Sequence, residues 1–81
     1  MDNNDLAILR TFNISAKAKV IVLHMKSRQD DGDVASQREA ASALGIGYST
    51  VERHLRASRK LGYLTTTRKG PQHWTYDFSA F

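Results

Sequence analysis

The fold is most strongly specified by SQREAASALGIGYSTVERHLRASRKLGYL, residues 36–64. Its first four residues form a capping box, in which the Ser36 hydroxyl accepts a hydrogen bond from the Glu39 amide and the Glu39 carboxylate reaches back to the Ser36 amide. The box predicts the start of a helix that runs to Leu44. Gly45 follows at the position where a left-handed residue commonly ends a helix.

A second helix is predicted after about four residues, from about Tyr48 to Leu61, and Gly62 closes it. This spacing is typical of a helix-turn-helix. Such a unit needs small residues where the two backbones approach and an apolar residue in the turn. The sequence supplies them as Ala40, Ala41 and Ile46.

Two further helices are indicated before this unit. Ser15 caps a run that continues through Gln29, and the length of this run favours a helix although its β-branched residues would suit a strand. Residues 2–12 are compatible with a short helix that is capped by Asn3 or Asn4.

Turns and extended segments account for the remaining residues. The acidic residues 30–33 form a turn, and Val34-Ala35 is predicted to be a very short strand. Residues 63–68 and 73–78 have β-branched and aromatic character and flank the turn-forming segment 69–72, which predicts a β-hairpin. One face of its second strand carries three aromatic residues that we expect to pack in the core: Trp74, Tyr76 and Phe78.

The charge is distributed unevenly along the 81 residues. Residues 1–35 carry five basic and five acidic side chains, whereas residues 36–81 carry seven basic and three acidic ones. The whole net charge of +4 therefore lies in the second segment. This asymmetry is typical of a protein with one surface that meets a polyanion.

Several classes of function are disfavoured by the composition. The chain has no cysteine, and its three histidines lie on different predicted elements, so no metal site is expected. Neither a nucleophile motif nor a glycine-rich phosphate loop occurs, and we predict a non-enzymatic protein without a cofactor or an evident small-molecule ligand. The longest apolar stretch, residues 20–25, is too short to span a bilayer, and no basic signal-peptide region is seen, so we expect a cytoplasmic protein.

The second helix of the unit has two distinct faces on a helical wheel. The inner face carries Val51, Leu55 and Ser58, and the outer face carries Ser49, Arg53, Arg56 and Lys60. Ser58 is unusual because a third aliphatic residue is expected at its position. Either its hydroxyl bonds to a carbonyl of its own helix, or a large neighbour such as Trp74 fills the space, and we favour the second explanation.

With these elements in place, residues 15–78 resemble the winged helix-turn-helix DNA-binding superfamily. The resemblance implies a mainly α fold with a three-helix core and a small β-hairpin wing. The winged helix-turn-helix DNA-binding domain is expected to occupy residues 15–81, and an N-terminal arm or short helix is expected to occupy residues 1–14. Families with this pattern include bacterial transcription regulators and the DNA-binding domains of plasmid and phage replication proteins.

The resemblance also implies which residues meet DNA. Arg53 and Arg56 can each donate two parallel hydrogen bonds to guanine, and we expect Arg53 to read a base. Glu52 can accept from a cytosine amine, but a pair with Arg56 one turn on is favoured. Arg68 and Lys69 at the hairpin tip are expected to reach a minor groove or flanking phosphates. The full set of expected DNA-binding residues is Ser36, Gln37, Arg38, Tyr48, Ser49, Thr50, Arg53, Arg56, Lys60, Arg68 and Lys69.

The predicted function is sequence-specific binding of double-stranded DNA, as a transcriptional regulator or repressor that acts as a homodimer on an inverted repeat. A DNA-binding module for plasmid or phage replication or segregation fits the same residues. A protein-interaction module would instead show an apolar or acidic outer helix face, and an RNA-binding protein would show exposed aromatic residues. The apolar residues at the two ends of the chain either form the dimer surface or close over their own core. These residues are Leu6, Ile8, Leu9, Phe12, Phe78 and Phe81.

Overall fold

The computed structural model describes residues 2–32, 36–70 and 73–81, without the side chains at positions 69, 70, 73 and 74. In these residues the chain is mainly helical and ends in a small antiparallel hairpin, as the sequence predicts. The elements are α1 (Asn3–Arg10), α2 (Ala16–Asp30), α3 (Gln37–Leu44), α4 (Tyr48–Lys60), β1 (Thr65–Gly70) and β2 (His73–Asp77). The short strand expected at Val34-Ala35 lies outside the described residues. None of the helices described is long and apolar enough to cross a bilayer.

The first two helices begin at side-chain caps. Ser15 caps α2 as predicted, with its hydroxyl accepting from the Ala18 amide at 3.1 Å. The prediction of Asn3 or Asn4 as the cap of α1 is wrong, because the helix starts one residue earlier. There the Asp2 carboxylate accepts from the Asp5 amide at 2.8 Å.

Only half of the predicted capping box forms at α3. The Ser36 hydroxyl accepts from the Glu39 amide at 3.4 Å. The Glu39 carboxylate does not take up the predicted contact with the Ser36 amide. Instead one of its oxygens lies 2.8 Å from His24 Nε2, and the other lies 3.6 Å from Arg28 Nε. These contacts with two side chains of α2 replace the predicted bond to a backbone amide, so Glu39 ties α3 to α2.

The turn between α3 and α4 has the predicted geometry. Gly45 adopts a left-handed conformation with φ of 67°, and the Ile46 amide donates to the Ala41 carbonyl at 3.0 Å. Ala40 and Ala41 are buried where the helices approach, and Ile46 packs against the core. Gly62, with φ of 86°, ends α4 in the same way.

The core is built around α2, which packs against each of the other three helices. Its buried members include Ile8, Ile21, Val22, Met25, Ala40, Val51, Leu55, Leu64, Tyr76 and Phe78. Tyr76 and Phe78 are thus in the core as predicted, whereas the side chain of Trp74 is outside the described residues. Of the terminal apolar residues, Ile8 and Phe78 close over their own core, and Leu9 and Phe12 remain exposed.

A polar clamp joins the hairpin to α2. The side-chain amide of Gln29 donates to the Tyr76 carbonyl at 2.7 Å, and its oxygen accepts from the Tyr76 amide at 3.0 Å. Within the hairpin, Thr66 pairs with Tyr76 and Arg68 with Trp74, and the register is irregular between Arg68 and Gly70. Because Gln29 bonds the backbone as a neighbouring strand would, it fixes the position of β2 on the core.

A charged cluster joins α1 to α2. The ammonium group of Lys26 lies 3.0 Å from Asp5 and 3.1 Å from both Asp2 and Asp30. Lys26 is only 9% exposed, and the three carboxylates, Asp5 first, raise its pKa despite the burial. The cluster therefore compensates a buried positive charge at the contact between the two helices.

Ser58 is fully buried on the inner face of α4, and its hydroxyl donates to the His54 carbonyl at 3.1 Å. The structure thus shows the hydroxyl-to-carbonyl bond that the sequence analysis considered but did not favour. Since the His54 carbonyl lies one turn back on the same helix, the hydroxyl is satisfied without a polar neighbour.

The turn offers a matched pair of substitutions. Gly45→Ala places a Cβ in open space but forces alanine into the left-handed region, and we expect a loss of about 1–2 kcal/mol in unfolding free energy. Gly47 is the N-cap of α4, with φ of −68° and no side-chain hydrogen bond to the helix. Gly47→Ser supplies a hydroxyl acceptor there, so the unfolding free energy should stay the same or rise by a few tenths of a kcal/mol. Urea unfolding of both variants measures this difference. Equal effects of the two substitutions would contradict the backbone argument.

Candidate nucleic-acid interface

Helix α4 is two-sided, as its sequence predicts. Its inner residues Val51, Leu55 and Ser58 are at most 1% exposed. The residues of the opposite face, which are Ser49, Arg53, Arg56 and Lys60, are all exposed. The packing of the inner face against α2 and α3 therefore presents a basic and hydroxyl-bearing surface to solvent.

The arginines of this face differ in their partners. Arg56 forms an ion pair with Glu52 one turn earlier, as predicted, and its side chain is 60% exposed. Arg53 has no hydrogen bond or ion pair among the described residues. An exposed i, i+4 pair contributes only about 0.3–0.5 kcal/mol, so a stronger acceptor can displace Glu52 from Arg56. Arg53 can therefore bind a ligand without losing a hydrogen bond or ion pair to another described residue.

The starts of α3 and α4 lie side by side. The Arg38 guanidinium lies over the Tyr48 ring, 5.4 Å from its centroid, and Tyr48 is 47% exposed. Ser36 belongs to the same region, but its hydroxyl oxygen accepts from the helix backbone. Gln37 is half-buried beside it. The α3–α4 turn thus brings Arg38 and Tyr48 together, and the predicted site residues Ser49 and Thr50 follow Tyr48 on α4.

The hairpin contributes the remaining predicted residues. Arg68 is exposed on β1 opposite Trp74, near the end of the strand pair. The side chain of Lys69 is among those outside the described residues, so its predicted contact cannot be placed.

One basic residue was missed by the sequence analysis. Arg59 lies on the flank of α4 rather than on its outer face, on the same side as Tyr48 and Glu52. These residues border a shallow groove of about 310 Å³ between α3, α4 and the hairpin. Its lining residues are Gln37, Tyr48, Glu52, Arg59, Thr66 and Tyr76. The helical positions of residues 48, 52 and 59, which share one flank, were the signal that could have identified it.

The opposite flank of α4 faces the start of α2. There His54 Nδ1 lies 3.5 Å from the Ser15 hydroxyl. Burial lowers the pKa of His54, and the positive charges of Arg53 and Lys17 lower it further. His54 is therefore neutral at neutral pH and adds no charge to the interface.

The basic face of α4 and a cluster of carboxylates lie on different parts of the structure. The described carboxylates of Asp2, Asp5 and Asp30 gather at Lys26 between α1 and α2, while the exposed face of α4 carries cations. Chemically, this face offers guanidinium, ammonium and hydroxyl donors to an anionic partner.

Among the described residues, no group of three or more histidine, aspartate or glutamate side chains is placed to hold a metal ion. No protein-family model, no curated protein and no solved structure matches the chain.

Proposed function

We propose that the chain is a sequence-specific double-stranded DNA-binding protein of the winged helix-turn-helix type, with α4 as the recognition helix and the hairpin as the wing. The observation that carries this proposal is the exposed basic face of α4, on which Arg53 is held without a competing partner. Helix α4 has 13 residues and is therefore about 20 Å long. Its diameter with side chains is about 10–12 Å, so the major groove of B-DNA, which is about 12 Å wide, admits it.

Two kinds of contact follow from this placement. Arg53 lies in the middle of α4, where it can donate two hydrogen bonds to O6 and N7 of guanine. Ser49 and Thr50 in the first turn suit base edges or phosphate oxygens, and Arg38 beside Tyr48 suits a phosphate at the start of the helix. Base contacts then select the sequence while phosphate contacts orient the protein.

Other classes of function are less well supported by the described surface. A protein-interaction module would present an apolar or acidic face on α4, and the face observed is basic. Recognition of unpaired RNA bases uses exposed aromatic rings. Tyr76 and Phe78 are buried and Arg38 lies over the Tyr48 ring, which is 47% exposed, while the Trp74 side chain is outside the described residues. We propose transcriptional regulation as the role, and replication or segregation of a plasmid or phage is the alternative use of the same surface.

Binding to duplex DNA should depend strongly on salt. With four to six phosphate contacts per protomer, the logarithm of affinity should fall with the logarithm of salt concentration with a slope of about −4 to −5 for each bound protomer. Fluorescence anisotropy with a labelled duplex at several potassium chloride concentrations measures the slope. A slope near zero would refute the nucleic-acid function.

Arg53→Ala should cost about 1–3 kcal/mol on the preferred site and relax base discrimination there. The preferred site is obtained by selection of bound duplexes from a random pool. Arg10→Ala removes another exposed arginine, from α1, and serves as the control, which should leave discrimination unchanged. If Arg53→Ala weakens selected and random duplexes equally, Arg53 binds phosphate and does not read a base.

A symmetric dimer on an inverted repeat is also proposed, because one recognition helix covers only a few base pairs. Leu9 is 39% and Phe12 is 93% exposed, and both are candidates for the dimer surface. Leu9→Glu should then convert a dimer into a monomer in light scattering with and without DNA, while Asn3→Glu, an exposed control on α1, should not. One protomer per duplex at saturation with a single unrepeated footprint would rule the dimer out.

A further inference from the structure

The groove beside α4 is distinct from the outer face described above. It runs along the helix flank, since Tyr48 and Arg59 are eleven residues apart and therefore separated by about 16 Å along the axis. It is also lined by Thr66 and Tyr76 of the hairpin and by Gln37 of α3. Residues of α3, α4 and the hairpin thus line one open groove with a volume of about 310 Å³.

The groove is lined mainly by hydrogen-bond donors and one unpaired cation. Three of the lining residues, Gln37, Tyr48 and Thr66, have side chains that carry an amide or a hydroxyl group. Arg59 is exposed and has no hydrogen bond or ion pair among the described residues. Glu52 is the one acidic side chain in the lining, and its charge is countered by Arg56.

This chemistry favours a phosphate over a base. A base would need an open aromatic face, but Tyr76 is 8% exposed and Arg38 already covers one face of the Tyr48 ring. A phosphodiester needs a cation and neutral donors, which the groove supplies. The groove also adjoins the outer face of α4, so a helix lying in a major groove would bring this flank towards one of the two bordering backbones.

We infer that the groove between α3, α4 and β1 binds the sugar-phosphate backbone of one DNA strand, with Arg59 as its phosphate ligand. The inference rests on the proposed function, because it places a bordering strand beside α4. Arg59 thereby fixes the depth and orientation of α4, and sequence reading is left to Arg53. The hairpin then takes part in binding through Thr66 at its base as well as through its tip.

The test is the salt dependence of duplex binding for Arg59→Gln. Loss of one phosphate contact per protomer should reduce the magnitude of the log–log slope by about 0.9 for each bound protomer and weaken selected and random duplexes by the same factor. Arg59→Lys should keep the slope, since an ammonium group also neutralises a phosphate. Arg10→Gln removes the same charge from α1 and should leave the slope at the wild-type value.

The outcomes separate the inference from the function on which it depends. If the wild type binds duplexes with a steep slope but Arg59→Gln leaves that slope unchanged, the groove does not hold a phosphate. The same conclusion follows if Arg59→Gln weakens only the selected duplex, because Arg59 would then read a base. If the wild type shows no salt-dependent binding, both proposals fall. Unfolding in urea checks that Arg59→Gln keeps wild-type stability, as expected for an exposed side chain without a hydrogen bond or ion pair among the described residues.

Discussion

The two hydrogen bonds between the Gln29 side chain and the backbone of Tyr76 determine where the hairpin lies. A two-stranded hairpin is marginally stable by itself, and it needs a third partner or an apolar contact to persist. Gln29 supplies the partner at 2.7 and 3.0 Å, and Tyr76 and Phe78 supply the apolar contact with the core. The wall of the groove beside α4, which contains Thr66, is therefore positioned by a residue of α2.

The features that were predictable from the sequence are local ones. Ser15, Gly45 and the two faces of α4 depend on hydrogen bonds and periodicity within a few residues, and the structure has them where expected. Glu39 and Gln29 could not be assigned, because their partners lie on other elements. The partners of Glu39 and Gln29 are determined by how the elements pack, and local sequence patterns do not specify that packing.

The candidate site shows the same division. The outer face of α4 follows from a helical wheel, and the pairing of Glu52 with Arg56 follows from their spacing. Arg59 lies on the flank of α4, so a helical wheel that is divided only into a core face and the face opposite it does not assign Arg59 to the site. Its surroundings become visible only when α3 and the hairpin are placed beside it.

The stabilising contacts of α1 persist across a wide pH range. Lys26 has a raised pKa, so its contribution is fully present below the ordinary lysine pKa and is lost only as the pH rises through the folded-state value. Asp2 has a lowered pKa, chiefly through the Asp5 amide, so its contribution is lost as the pH falls through that lower value. The two-sidedness of α4 adds another consequence. Its buried residues and its site residues lie on opposite faces of the helix. Substitutions at positions 49, 53 and 56 therefore alter the chemistry of the surface with little effect on folding. Ligand preference can therefore diverge among variants of this chain at almost constant stability, and a library confined to those three positions would consist mostly of folded proteins.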